Sequence, residues 1–140
     1  PTLAAIYYSQ TQNKEDTKYI VKYLDEYASG DIDENWWWMY QAFYIAHTTL
    51  KDNHLALKLA YKLSQNKNDK APIWTRQLPA FVESKLGDDC SAFAVINKML
   101  KDDVSGDKKI SPKEMDFMRH FIKQRLEALK KKNFDPNKCQ

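Results

Sequence analysis

Oxygen-bearing side chains recur at alternate positions in one stretch of the sequence, residues 103–114. Carboxylates or a hydroxyl occupy its first, third and fifth positions, and a glutamate occupies its last: Asp103, Ser105, Asp107 and Glu114. Ca²⁺ takes oxygen ligands at this spacing from a single short loop, and the last carboxylate binds it through both oxygens. Because the carbonyl of Lys109 provides a further oxygen, the stretch is a candidate calcium site.

The stretch resembles the calcium loop of the EF-hand family, and helices are predicted on both sides of it. It departs from the family pattern at Lys108, where the sharp turn of the loop requires glycine. The sequence also contains no second loop of this kind to pair with it. A simpler interpretation is that Ser111 and Glu114 form a capping box, with Pro112 in the first helical turn. The stretch is then either a calcium loop or a capped linker.

Motifs typical of enzymes are missing from the sequence. The histidines lack metal-ligand spacing (His47, His54 and His120), and neither a nucleophile elbow nor a Gly-rich phosphate loop is present. Cys90 has no evident base, so we interpret it as a structural residue at a helix start. Cys139 lies in a tail that we expect to be mobile, and two cysteines do not make a disulfide framework. We therefore predict no enzyme activity and no cofactor.

Composition favours one helical domain. The chain has 140 residues, of which 43% are hydrophobic, but only 3 Gly and 5 Pro, which is few for a sandwich or barrel. Its net charge of +3 is too small to indicate nucleic acid. No apolar run approaches the ~20 residues of a membrane span, so we expect a soluble domain. The chain begins without Met, as one processed from a longer chain by removal of a signal or anchor would; the compartment stays undetermined.

Hydrophobic periodicity predicts helices along nearly the whole chain. A short helix is predicted over residues 2–9, and longer helices follow with polar turns between them: about 17–28, 34–50, 54–64, 72–86, 91–101 and 112–132. One apolar stripe of the first long helix combines Ile20, Val21, Leu24 and Tyr27. Pro79 predicts a kink within 72–86, and a polar loop is predicted from Asp102 to Ile110.

A shift of 36 residues superimposes related positions: Trp38 on Trp74, Leu50 on Leu86, Asp52 on Asp88 and Ala56 on Ala92. This pattern predicts a repeated helical hairpin. It is similar to the tetratricopeptide repeat (TPR), best over residues 33–102. The positions that carry the resemblance are Trp38, Ala42, Ile45, Trp74, Leu78 and Phe81 on first helices, and Ala56, Ala60, Ala92 and Ile96 on second helices. The family's Leu-Gly pair is replaced by Gln41-Ala42 and Gln77-Leu78.

The repeat and the resemblance imply an all-α fold. Antiparallel helical hairpins would form a short right-handed TPR-like superhelix over residues 1–132, closed by a long C-terminal capping helix and followed by a tail, 133–140. The resemblance also implies a protein–protein interaction or scaffold module that binds a peptide or partner protein in a concave groove. The sequence does not identify the partner, and it does not distinguish a monomer from a homodimer.

Carrying the family signature over from Trp38 implies a set of groove residues. They are Trp36, Met39, Phe43, His47, Thr75 and Arg76. Aromatic, Met and Arg side chains are frequent in interfaces. The same helix is aromatic on nearly every side, so burial at the centre of the stack explains it equally well. The main function predicted is therefore partner binding, and the alternative is a calcium-responsive domain with its loop at 103–114.

Overall fold

The protein is mainly helical in the residues that its structure, a computed structural model, describes: 1–3, 13–105 and 110–139. Six α-helices have their bounds in these ranges: α1 (Lys14–Ser29), α2 (Trp36–Thr48), α3 (Asn53–Ser64), α4 (Trp74–Lys85), α5 (Asp89–Ser105) and α6 (Pro112–Lys131). A short 3₁₀ turn follows at Pro136–Lys138. No β-strand occurs in the described part of the chain. The predicted all-α class is confirmed.

Helix bounds differ from the predicted ones where capping side chains decide them. α1 begins three residues early, because the side chain of Asn13 accepts the Glu15 N–H at 2.8 Å and caps the helix. α5 continues to Ser105, so the polar loop predicted from Asp102 begins later than expected. α4 continues through Pro79. Most of the helix predicted over residues 2–9 lies outside the described residues.

The chain divides into two compact units, residues 1–78 and 79–140, and the division falls within α4. In unit 1, α2 packs against both α1 and α3. Leu24, Met39, Leu59 and Leu63 fill its core, and four fully buried alanines let the helices approach closely: Ala42, Ala46, Ala56 and Ala60. Tyr27 does not belong to the buried stripe of α1 as predicted; it is 43% exposed, and Ala28 is buried beside it.

In unit 2, α5 packs against α6. The buried apolar side chains of this unit are Ala80, Val82, Ala92, Ile96, Met118, Phe121 and Leu129. Phe81 adds edge-to-face contacts with Phe117 and Phe121, at centroid distances of 6.0 and 5.8 Å. None of the helices in the described part of the chain is long and apolar enough to cross a membrane.

Candidate functional site

Aromatic side chains form a continuous, partly exposed surface in unit 1, which we call the aromatic surface: Trp36, Trp37, Tyr40, Tyr44 and Trp74. Trp37 and Tyr44 are 49% and 50% exposed. Each ring contacts the next one, and the centroid distances are 6.0 Å for Trp36–Trp37, 5.8 Å for Trp37–Tyr40 and 6.2 Å for Tyr40–Tyr44. Trp74, the first residue of α4, packs against Tyr40 at 4.7 Å. Two half-exposed rings are thus joined to three half-buried ones in a single cluster.

The aromatic surface lies on one side of α2 because of helical spacing. Trp37, Tyr40 and Tyr44 are three and four residues apart and therefore share a face. The opposite side of α2 is buried among its neighbours through Met39, Ala42, Phe43, Ile45 and Ala46. No Asp, Glu, Lys or Arg occurs between Trp36 and Thr48. Both sides of α2 are thus apolar, and one of them remains exposed.

A polar loop between α3 and α4 positions Trp74. At its centre is Asn66, which is only 2% exposed. The Asn66 Nδ2 donates to the Leu63 carbonyl at 2.8 Å and to the Thr75 Oγ1 at 3.1 Å. Arg76 donates to the carbonyls of Asn66 and Asn68, at 3.2 and 3.1 Å. These bonds fix the start of α4 to the end of α3.

The same loop is bonded to the turn before α2. The Lys67 N–H donates to the Asp33 carboxylate at 2.7 Å, and the Asn68 Nδ2 donates to the Asp33 carbonyl at 2.7 Å. The loop therefore connects the start of α2 with the start of α4. Because both ends are bonded, the aromatic surface is held by rigid elements.

The groove residues implied by the resemblance do not form one exposed surface. Met39, Phe43 and Thr75 are buried, so these three side chains are not available to a partner. Arg76 is half-buried and donates to the loop carbonyls, and Trp36 is half-buried within the aromatic surface. His47 is stacked on Phe43 at a centroid distance of 5.5 Å. Its Nδ1 is buried without a hydrogen-bond partner among the described residues.

Trp37 and Tyr44 are exposed residues that the groove prediction omitted, and the half-buried Tyr40 lies between them. Their spacing was visible in the sequence. The sequence did not show which side of α2 faces the solvent, because hydropathy does not distinguish two apolar sides of one helix. Burial against α1 and α3 decides which side faces out.

The calcium candidate falls partly on a helix. Asp103 and Ser105 belong to the end of α5, and Asp107 lies outside the described residues. Glu114 is in the first turn of α6, where its N–H donates to the Ser111 Oγ at 3.3 Å. This bond confirms the predicted Ser111 cap. Among the side chains that the structure describes, no group of three or more His, Cys, Asp or Glu residues is arranged to hold a metal ion.

The two cysteines are joined to each other, although the sequence did not indicate this pairing. Cys90, in the first turn of α5, forms a disulfide with Cys139, 49 residues away, and their Cα atoms are 5.1 Å apart. The expectation that Cys139 lies in a mobile tail is therefore wrong, because the disulfide attaches it to α5. Cys90 has a structural role, as expected, but it has this role through the disulfide. Sequence separation gave no signal of this pairing.

Charged side chains surround the α5 end of the disulfide. The Asp89 carboxylate lies 3.5 Å from the Arg125 Nε and 3.5 Å from the Lys132 Nζ. Arg125 also contacts the Ser84 hydroxyl and lies over the Phe121 ring. An open pocket of about 290 Å³ adjoins these groups; its lining includes Leu86, Cys90, Leu129 and Lys132. The ion pairs satisfy Asp89, so this cluster is explained by its structural role.

Compared with protein-family models, with curated proteins and with solved structures, the chain has no significant match. No relative therefore supplies a function. Any function proposed for the chain depends on its own residues. Exposed aromatic side chains also occur on α1, at Tyr19, Tyr23 and Tyr27, but the aromatic surface combines five rings from α2 and α4 in mutual contact.

Proposed function

We propose that this chain is a protein–protein interaction or scaffold module, and that the aromatic surface of α2 binds a peptide or partner protein. One observation carries the proposal. Two large aromatic side chains, Trp37 and Tyr44, are half-exposed on a helix that has no charged residue. Contiguous exposed apolar surface of this kind marks contact sites, and Trp and Tyr are the residues that dominate binding energy.

The rigidity of the surface favours binding. The far side of α2 is packed against two helices, and ring contacts restrain the aromatic side chains on the near side. Side chains that are already ordered lose little conformational entropy when a partner covers them. Two-torsion aromatic side chains give large contact area at low entropic cost. An apolar peptide segment is therefore the partner best matched to this surface.

The proposal includes a TPR-like arrangement of the helices as a short right-handed superhelix. Its support is the 36-residue repeat, with Trp38 and Trp74 at equivalent positions, and the buried alanines of α2 and α3. Small residues at helix contacts are what close-packed hairpins need. In this proposal a groove beside α2 receives the partner, and the protein is neither an enzyme nor a nucleic-acid binder. The net charge of only +3 supports the last point, since affinity for nucleic acid depends mainly on contacts of Lys and Arg with phosphate.

A peptide-display selection on the whole immobilised chain tests the proposal. We expect enriched peptides rich in apolar residues, and at least tenfold weaker binding of them to Trp37→Ala, since a hot-spot aromatic contributes about 2 kcal/mol. Tyr19→Ala is the matched control, because Tyr19 is an exposed aromatic residue on α1. It should change the affinity less than twofold. Absence of enriched peptides, or equal losses for the two variants, would refute the proposal.

A calcium-responsive domain is the alternative proposal, and it rests on the sequence pattern of residues 103–114 alone. The Ser111 cap explains Ser111, Pro112 and Glu114 without an ion. Thermal unfolding in millimolar calcium and in chelator distinguishes the two interpretations.

A further inference from the structure

Residues 133–139, the tail after α6, are attached to the rest of unit 2 by the disulfide, whereas the helices are held by packing of their buried side chains. After α6 the backbone turns at Asn133, which has a φ of 56°, and continues as residues 133–139. The backbone hydrogen bonds of this tail are all local: Phe134 donates to Leu129, and Cys139 donates to Pro136. No residue of its 3₁₀ turn is buried, and Phe134 is exposed. The disulfide is the link that ties the tail to α5.

Cys90 lies at the N-terminus of α5, next to charged side chains of both signs. It is the second residue of α5, a helix of 17 residues, so the positive end of the helix dipole lies beside it. At this end the Ser91 N–H donates to the Asp88 carboxylate at 2.9 Å. The helix dipole favours a negatively charged sulfur at this end, so Cys90 is the sulfur that we expect to leave in thiol–disulfide exchange. The negative charge of the neighbouring Asp89 is offset by Arg125 and Lys132. Cys90 and Cys139 are both partly exposed, and Cys90 lines the open pocket, so a reductant has access.

The core of unit 2 does not depend on the tail. The buried apolar residues of α5 and α6 are Ala92, Ile96, Met118, Phe121 and Leu129, all outside residues 133–139. The ion pair between Asp89 and Arg125 also joins α5 to α6 without the tail. Opening the disulfide therefore removes a restraint on the tail and leaves the helix contacts in place.

We propose that the Cys90–Cys139 disulfide is a redox-operated latch, which a dithiol reductant opens to release residues 133–139 while the helices stay folded. One thiolate of the reductant attacks the Cys139 Sγ, and the Cys90 sulfur leaves as a thiolate. The second thiol of the reductant, as its thiolate, then displaces the Cys139 sulfur, which leaves as a thiolate, and the reductant ends as a disulfide. The latch is closed where thiols are oxidised and open where dithiol reductants prevail.

Limited trypsin digestion of the whole chain, oxidised or reduced with dithiothreitol, tests the release. Cleavage after Lys138, in the tail, is compared with cleavage after Lys98, an exposed lysine of α5. We expect reduction to raise the rate at Lys138 at least tenfold more than the rate at Lys98, with the helical circular dichroism retained. Parallel increases would mean that the unit opens as a whole, and an unchanged rate at Lys138 would mean that other contacts hold the tail. Either result would overturn the latch.

Two further measurements complete the test. Cys139→Ser should be cleaved after Lys138 as fast as the reduced protein and should not respond to dithiothreitol; a dithiothreitol response of this variant would overturn the proposal. Glutathione, a monothiol, reports the direction of opening. We expect its first mixed disulfide on Cys139 with Cys90 released, as measured by peptide mass after acid quenching. A majority of adducts on Cys90 would overturn the assigned direction.

Discussion

Tyr40 packs edge-on against Trp74 in unit 1, with 4.7 Å between the ring centroids and 66° between the ring planes. This contact joins the middle of α2 to the first residue of α4. Tyr40 also touches Trp37 and Tyr44, so it is the ring through which Trp74 is connected to the exposed part of the aromatic surface. The contact therefore serves both the stability of unit 1 and the shape of its candidate binding surface.

Replacing Trp74 should destabilise the protein more than replacing Trp37. Trp74→Ala removes the edge-to-face contact and exposes Tyr40, which we expect to cost about 2 kcal/mol. Trp37→Ala removes a ring that is already half in water and should cost about 1 kcal/mol. Urea unfolding followed by circular dichroism measures both values, and Trp74→Phe, which keeps a ring, should recover part of the loss. Equal destabilisation by the two alanine variants would contradict the role assigned to Trp74.

Asn66 should be the most sensitive residue of the loop between α3 and α4. Asn66→Ala leaves the Leu63 carbonyl without its side-chain donor and removes the acceptor of the Asn68 N–H, in a buried position. Because buried polar groups would be left unsatisfied, we expect the free energy of unfolding to fall by about 2–3 kcal/mol. Gln65→Ala is the control, since Gln65 is exposed one residue earlier, and it should stay within about 0.5 kcal/mol of the parent in the same urea experiment. Similar losses for both variants would show that the loop does not depend on the Asn66 amide.

The sequence predicted the helices better than it predicted their surroundings. Polar breaks at Ser29–Asp31 and Lys51–Asn53 separate the helices correctly, because turn residues and hydrophobic period are local signals. The exposed side of α2 was not predictable, since Met39 and Tyr44 are both apolar enough to be buried. Which of them lies inside depends on contacts with other helices.

Long-range links were likewise not predictable from spacing. Cys90 and Cys139 are 49 residues apart and meet only because α5 and α6 pack together. The bonds from Asp33 to the loop at Lys67 and Asn68 join residues 34 and 35 apart. The 36-residue repeat aligns equivalent positions but carries no signal for such contacts.

Reduction of the disulfide should lower stability only moderately. A bond between rigid elements that closes a loop of 49 residues would contribute about 4 kcal/mol. Here the folded protein must also close a short loop, because the chain has to return from Lys131, the end of α6, to Cys139 at the disulfide. The net stabilisation by the disulfide is then the difference between two closure costs, that of the 49-residue loop in the unfolded chain and that of the short loop from Lys131 to Cys139 in the folded protein. This difference depends on the logarithm of the ratio of the loop lengths and amounts to about 2 kcal/mol.

Urea unfolding of the oxidised and reduced protein measures this difference. The Cys90→Ser and Cys139→Ser variants should match the reduced protein, since each loses the same restraint. A loss near 4 kcal/mol would mean that the tail is ordered without the bond, and it would contradict the latch as well as this estimate.

Calcium should leave the melting temperature unchanged. Residues 103–114 then form the end of α5, a linker and the capped start of α6, and they do not bind an ion. We expect this result because Asp103 and Ser105 belong to α5 and the Ser111 Oγ already caps α6. Ser111→Ala should then destabilise the protein by about 1 kcal/mol, with or without calcium. Thermal unfolding in millimolar calcium and in chelator checks both expectations. A higher melting temperature in calcium that Glu114→Gln abolishes would instead establish the ion site, because only a ligand of the native state stabilises it in this way.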